Sequence, residues 1–235
     1  MQNITIYIDD KKLEVESGKT ILEVCKKNNI EILTMCHLEG ISDIGACRLC
    51  LVEIEGVNKL LSACTTKVAA NMVIRTSTEK IKRYQRITTE LLFAERNHMC
   101  SVCVANGHCE LQNLGYKVEM DSIRYPRLFP QCEVDTSHSW YVLDHNRCIM
   151  CTRCVRVCSE VEGAFNWSVK NRGYQVRVIS DFNTPWGEST TCTSCGKCLH
   201  ACPTGALWPK AIVQGQLDKK PEIIEELMCK RKMGL

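Results

Sequence analysis

Two runs of four cysteines at one spacing constrain this chain more than any other feature. They are Cys148-x2-Cys151-x2-Cys154-x3-Cys158 and Cys192-x2-Cys195-x2-Cys198-x3-Cys202, the second followed by Pro203. Three thiolates separated by two residues each can wrap one face of a compact polynuclear centre, because the turns between them keep the sulfurs within bonding reach. The fourth cysteine starts a helix that points away, so each run gives three ligands to its own centre and one to its neighbour. A zinc site needs four ligands per ion and gains nothing from a third cysteine at the same interval. The runs therefore predict two [4Fe–4S] clusters. One is expected on Cys148, Cys151, Cys154 and Cys202, and the other on Cys192, Cys195, Cys198 and Cys158.

The rest of the composition narrows the setting. The chain has 18 cysteines in 235 residues and a formal charge of only +3, with no long basic run. Nucleic-acid binding rests on clustered Lys and Arg, so nucleic acid is not the expected partner. The start, Met1-Gln-Asn-Ile-Thr-Ile-Tyr-Ile-Asp-Asp10, lacks the basic and apolar regions of a secretory signal, and no apolar stretch approaches the length of a membrane span. The expectation is a cytoplasmic chain. There, dense cysteine means metal binding rather than disulfides.

Periodicity divides the chain. Ile4, Ile6 and Ile8 alternate with polar neighbours at the strand period, Asp9-Asp10 supplies a turn, and Leu13 and Val15 continue as a second strand. Thr20-Ile-Leu-Glu23 has the form of a helix capping box, and that helix should stop near Asn28-Asn29. Strands are expected again at Leu51–Ile54 and Met72–Arg75. Two strands, a helix, a long cysteine loop and further strands make a β-grasp domain over 1–78. A helix over 79–95 should bury Ile81, Tyr84, Ile87, Leu91 and Leu92, and opens a small helical unit over 79–124. The proline-punctuated Tyr125–Pro130 begins a linker, 125–138. A double-cluster domain follows over 139–212, then a charged tail, 213–235, read as a solvated face. The fold class is α+β.

Two further cysteine groups lie outside the runs. Cys36-x10-Cys47-x2-Cys50-x13-Cys64 sits in the β-grasp unit and has the central C-x2-C and distant cysteine of plant-type [2Fe–2S] proteins, with a longer first interval. Gly40 and Gly45 in that interval would let backbone amides approach the sulfides. His98-x-Cys100-x2-Cys103-x5-Cys109 offers three thiolates and a nearby imidazole, leaving a [4Fe–4S] cluster one ligand short unless His98 or His108 completes it. Zinc competes at both groups on spacing alone.

At this point the residues carry a resemblance. Cys36-His-Leu-Glu-Gly-Ile-Ser-Asp-Ile-Gly-Ala-Cys-Arg-Leu-Cys50, Leu91-Leu-Phe-Ala-Glu95, Val102-Cys-Val-Ala-Asn-Gly-His-Cys-Glu-Leu-Gln112, Asp144-His-Asn-Arg-Cys-Ile-Met-Cys-Thr-Arg-Cys-Val-Arg-Val-Cys158 and Cys192-Thr-Ser-Cys-Gly-Lys-Cys198 resemble the small iron–sulfur subunit of the diaphorase module in soluble NAD(P)-linked [NiFe] hydrogenases. The same organisation opens the largest peripheral-arm subunit of respiratory complex I. The resemblance implies one [2Fe–2S] cluster on Cys36, Cys47, Cys50 and Cys64. It also implies a histidine-ligated [4Fe–4S] cluster on His98, Cys100, Cys103 and Cys109, for three [4Fe–4S] clusters in all. Complex I relatives place three residues between that histidine and the next cysteine, where this chain has one.

The implied partners are an FMN/NAD(P)-binding flavoprotein subunit and a hydrogenase small subunit, and through the latter the [NiFe] catalytic subunit, in a hetero-oligomer. The chain has no nucleotide fingerprint and no active site of its own, and stops before any further catalytic domain, as expected of an electron-relay subunit. The alternative is the same relay in a formate dehydrogenase, a complex I-like arm or an electron-bifurcating assembly. Cys25, Cys132 and Cys229 are left over as bystanders. Trp140, Trp167, Trp186 and Trp208 are read as packing that shields the clusters.

Overall fold

The computed structural model describes residues 3–233. Strands β1 (Asn3–Ile8) and β2 (Lys11–Glu16) form a hairpin closed by Asp9-Asp10, both at positive φ (47° and 67°). That turn's twist matches the strands it joins. Helix α1 (Ile21–Lys27) begins with the capping box expected of Thr20 and Glu23, each side chain bonded to the other's backbone N–H. It ends at Asn28, with Asn29 left-handed. Strands β3 (Leu51–Ile54), β4 (Leu61–Ser62) and β5 (Val73–Arg75) complete a five-stranded sheet in the order β2-β1-β5-β3-β4. Only the β1–β5 pair is parallel. Ile21, Leu22, Val24 and Cys25 of α1 share one core with Ile6, Ile8, Val52 and Ile74. Cys25 is fully buried, and burial, with Asp9 adding to it, pushes its thiol up to about 12.

Helix α2 (Glu79–Ala94) lies where expected but buries a different face. Ile81 is in the core, whereas Tyr84 and Leu91 are exposed and Gln85, Thr89 and Glu90 take the interior. Each buried polar group has a partner, which is what makes its burial tolerable. Gln85 Nε2 donates to Leu49 O (3.1 Å), Thr89 Oγ1 donates to Gln85 O (2.8 Å), and Arg86 and Arg124 both hold the Glu90 carboxylate. Apolar periodicity cannot register a face secured in this way.

Helix α3 (Glu110–Lys117) follows. The segment expected as a linker is tied down: Leu128 N donates to Ala94 O and Asn97 Nδ2 to Pro130 O. It also contains a strand, β6 (Val134–Asp135). Then come β7 (Tyr141–Asp144), α4 (Arg153–Arg156), a wider helical turn over Val157–Glu162, and the hairpin of β8 (Trp167–Lys170) and β9 (Arg177–Ser180). Helix α5 (Lys197–Ala201) and strand β10 (Leu207–Pro209) close this unit, with the sheet order β10-β7-β6.

The tail is not simply a solvated face. It forms α6 (Glu222–Lys232), whose Ile224 is fully buried among Leu38, Ile41, Val157, Val161 and Ala201. The Arg231 guanidinium donates to Glu160 O (2.6 Å) and Val161 O (3.0 Å), while Lys230 and Lys232 stay exposed. This docking corrects the expected role of Gly40. At φ +87°, an added Cβ would stand 2.9 Å from Glu225 Cα, so the absent side chain admits the α6 backbone. Among the described residues, no helix is long and apolar enough to cross a membrane.

Candidate metal centres

The loop between α1 and β3 gathers the first group. Cys36, Cys50 and Cys64 are buried, Cys47 is half-buried, and the Cys50 and Cys64 sulfurs lie 3.5 Å apart. Hydrogen bonds from the Cys47 and Cys64 thiols, with the Cys47 and Ala46 amides, hold Cys36 well below the usual thiol range against the effect of burial. Amide donors aimed at sulfur are what a thiolate ligand requires. Gly45 (φ +61°) and Arg48 (φ 53°) bend the backbone on either side of Cys47.

The second group lines one cavity. His98, Cys100, Cys103 and Cys109 face it together with Phe93, Arg147, Thr204 and Gly205. His98 Nε2 is buried with no hydrogen-bond partner, while the ring is also bonded to the Leu92 backbone. The Leu92 carbonyl thus takes the Nδ1 proton and leaves Nε2 as a lone-pair donor, the tautomer that a metal-binding histidine adopts. Burial, reinforced by Arg147 and Arg96, pushes this imidazole down to about 4, so it is neutral at pH 7. His108 is exposed and does not line the cavity. Gly205 completes the cradle, since a Cβ there would come within 2.5 Å of Cys103 Sγ. An orphaned imidazole nitrogen facing three thiols fits the donor set of a histidine-ligated cluster. His98→Ala is expected to remove or convert that cluster, with a changed low-temperature EPR spectrum and lower iron content. His108→Ala is expected to leave both unchanged.

The two runs fold alike. In each, the residues on both sides of the second cysteine are left-handed: Met150 (φ 54°) and Thr152 (56°) in the first, Ser194 (56°) and Gly196 (71°) in the second. Alternation of this kind turns successive N–H groups into one concavity, a nest of the sort that holds Fe–S centres. For the non-glycine residues the conformation costs on the order of 1 kcal/mol each, strain of a kind that collects at functional sites. Sequence reasoning missed the nest; Gly196 was its one visible trace.

The fourth cysteines cross over. Cys158 lines a cavity with Cys192, Cys195 and Cys198, beside Tyr141, Trp167 and Trp186. Cys202 lies within electrostatic reach of Cys148, Cys151 and Cys154. Burial, with those neighbouring thiols, raises Cys148 to about 12. Cys151 rises to about 11, again chiefly through burial. Burial alone would raise Cys202 too, but Lys219 and hydrogen bonds from Thr204 and Leu207 outweigh it and leave that thiol below the usual range. Trp186 Nε1 donates to Cys192 Sγ (3.2 Å), and Trp167 bonds Cys198. These two tryptophans do more than pack. Trp140, by contrast, is 68% exposed and shields nothing. Cys132 lines a cavity of about 200 Å³ that also contains Cys148, and Cys229 is exposed on α6. Among the described residues, no group of three or more His, Cys, Asp or Glu is gathered to hold a single metal ion.

The first-run group stands between the others. Arg156, 6% exposed, donates from Nη2 to Cys36 O (2.5 Å) and Cys151 O (3.2 Å), joining it to the loop of the first group. Arg153 binds Glu110, next to Cys109, through two bonds of 2.7 and 2.9 Å. Cys154 is within electrostatic reach of Cys198.

Three segments of the chain match known iron–sulfur domains. Residues 1–79 match a 2Fe-2S iron-sulfur cluster binding domain, 85–124 the NADH-ubiquinone oxidoreductase-G iron-sulfur binding region, and 141–208 the ferredoxin-like domain of NADH-quinone oxidoreductase subunit 3. The chain is 37% identical over 207 residues to the G 2 subunit of NADH-quinone oxidoreductase from Rhizobium meliloti, covering 87% of this chain and 24% of that protein. It is 37% identical over 213 residues to the HndD subunit of the NADP-reducing hydrogenase of Solidesulfovibrio fructosivorans, of which it spans 36%. The chain thus spans from about a quarter to about a third of these longer relatives. With the gamma subunit of the NAD-reducing hydrogenase HoxS of Cupriavidus necator the match runs nearly end to end, 31% identical over 89% of this chain and 88% of that one. A crystal structure of NAD+-reducing [NiFe]-hydrogenase in the H2-reduced state contains a chain that superposes with a TM-score of 0.82 at 31% identity, covering 88% of each. The chain belongs to this family of iron–sulfur subunits shared by NAD(P)-reducing hydrogenases and NADH–quinone oxidoreductases, with a [2Fe–2S] domain followed by [4Fe–4S] ferredoxin-like domains.

Proposed function

We propose that the chain relays electrons between a hydrogenase catalytic module and an FMN/NAD(P)-binding subunit of a cytoplasmic hetero-oligomer. It would do so through one [2Fe–2S] cluster on Cys36, Cys47, Cys50 and Cys64 in a β-grasp domain, and a [4Fe–4S] cluster on His98, Cys100, Cys103 and Cys109. Two further [4Fe–4S] clusters would sit on Cys148, Cys151, Cys154 and Cys202, and on Cys158, Cys192, Cys195 and Cys198. Bound there, the clusters supply one-electron redox chemistry over a range of potentials. The residues supply the rest. Thiolates and one neutral imidazole bind, nests of amides and two indole N–H groups donate to sulfur, and buried side chains limit access of water.

The observation that carries this reading is the convergence of Cys158 on the second run and of Cys202 on the first. A double-cluster fold requires that exchange, and independent structural sites do not. The central position of the first-run group favours a relay over a store, because every other group approaches it. Anaerobic affinity purification of the tagged chain from its native host tests the function. A flavoprotein containing FMN and a [NiFe] hydrogenase small subunit should co-purify. Recovery with a formate dehydrogenase or a quinone-linked arm instead would transfer the relay to that complex.

A further inference from the structure

We propose that Lys219, which lies beyond the residues matched to any cluster-binding domain, is the shared positioning residue of the junction between the His98 and Cys202 centres, where it fixes the intervening backbone and sets both potentials. The inference rests on the cluster assignments above.

The junction is very short. Cys202 belongs to the first-run group, and Thr204 and Gly205, two and three residues on, line the His98 cavity. Pro203 O accepts from Glu110 N (3.0 Å) and from Cys109 Sγ (3.7 Å). Four consecutive residues, Cys202 to Gly205, therefore touch both centres.

Lys219 grips this segment from outside. Its ammonium donates to Cys202 O (2.5 Å) and to Thr204 O, bracketing Pro203. The strand of chain that carries it is fastened on both flanks. Gly215 N donates to Cys103 O (3.3 Å) and Leu217 N to Val104 O (3.1 Å) on the His98 side, and Lys220 N donates to His200 Nδ1 (3.2 Å) on α5. Leu217 is buried against Leu111 and Leu114. Held there, the ammonium stands against the backbone that joins the two centres, on either side of the Pro203 carbonyl that accepts from Glu110 N. Arg153 also approaches Cys202, but its charge is matched by Glu110. The structure gives Lys219 no such carboxylate partner among the described residues.

The sign of the effect follows. Passing one electron across the junction oxidises one side and reduces the other by the same unit, with no proton needed. The reduced side carries one more negative charge, which a fixed cation stabilises. Net charge and hydrogen bonding near the sulfurs set such potentials. Removing the ammonium should therefore lower the midpoints of both flanking centres and leave the [2Fe–2S] and Cys158 centres where they were.

EPR-monitored redox titration of the full chain in its complex tests this, with signals assigned by their loss in His98→Ala and Cys202→Ala. Lys219→Gln keeps a donor for the carbonyls and removes the charge. It should lower the reduced-to-oxidised ratio of both flanking centres about tenfold at fixed potential, a shift of about 59 mV for one electron. Lys219→Arg should restore both midpoints to within a small part of that shift. No shift in Lys219→Gln, a shift in only one of the two, an equal shift in all four centres, or an Arg variant displaced as far as the Gln variant would each overturn the proposal. Iron content and EPR signals of the unaltered chain report separately on the cluster assignments. Their absence would sink those assignments rather than the role of Lys219.

Discussion

Cys202→Ala should abolish the cluster held by Cys148, Cys151 and Cys154 and spare the one built on Cys192, Cys195 and Cys198, although Cys202 belongs to the latter's run. Cys158→Ala should do the reverse. Each variant is expected to lose about four irons, the content of one cubane, together with one set of EPR signals. The exchange follows from how each run ends. The fourth cysteine does not start a helix as the spacing suggested: the helix begins just before the third, in α4 for the first run and α5 for the second, and carries the fourth thiol at its far end across to the neighbouring site. There Cys158 meets Trp167 and the second-run thiols, and Cys202 sits within the field of Cys148, Cys151 and Cys154. Cys202 also opens the short segment that reaches the His98 cavity. Its removal is therefore expected to disturb the histidine-ligated signals more than Cys158→Ala does. If each run kept its own cluster when the other run's fourth cysteine was removed, the crossed assignment would be wrong.

The second large effect concerns stability. Glu110→Ala is expected to cost roughly 3 kcal/mol, because it strands the Arg153 guanidinium, whose side chain is only 4% exposed. The carboxylate itself is 40% exposed, and Cys151 and Cys202 remain beside the orphaned charge. Those two facts keep the cost at the low end for a broken buried pair. The pair ties the first turn of α3 to the first turn of α4, so the loss falls on the contact between the small helical unit and the double-cluster unit. Breaking the exposed Lys82–Glu79 pair by Glu79→Ala should change stability by less than about 1 kcal/mol. The measurement is the temperature at which charge-transfer absorption is lost under anaerobic heating. A fall of roughly 6 °C or more is expected for Glu110→Ala, against little change for Glu79→Ala.

Much of the site was legible because cysteine spacing is a direct record of ligand geometry. The spacing of Cys148 to Cys158 and of Cys192 to Cys202 led to the expectation that each fourth cysteine would lie beside the other run, which is where the fold puts them, and the Thr20–Glu23 box announced the start of α1. The less legible features depend on partners remote in sequence. Arg156 meets Cys36 from 120 residues away, and Lys219 reaches Cys202 from a segment that reads as a polar tail. The face of α2 was misread for the same reason: Gln85 and Glu90 are buried on account of Leu49 and Arg124, which no helical period contains. The docking of α6 rests on Ile224, Leu227 and Met228 among charges, a stripe too narrow to stand out. Trp186 and Trp167 were read as shielding, but their bonds to Cys192 and Cys198 form only once the chain is folded.

Fifteen cysteines and His98 are proposed to hold four iron–sulfur clusters. Metal and acid-labile sulfide analysis of the anaerobically purified chain tests it most directly. About 14 irons per chain are expected, with a similar amount of sulfide and broad visible absorption that bleaches on reduction. Stoichiometric zinc, with little iron and no such absorption, would contradict it.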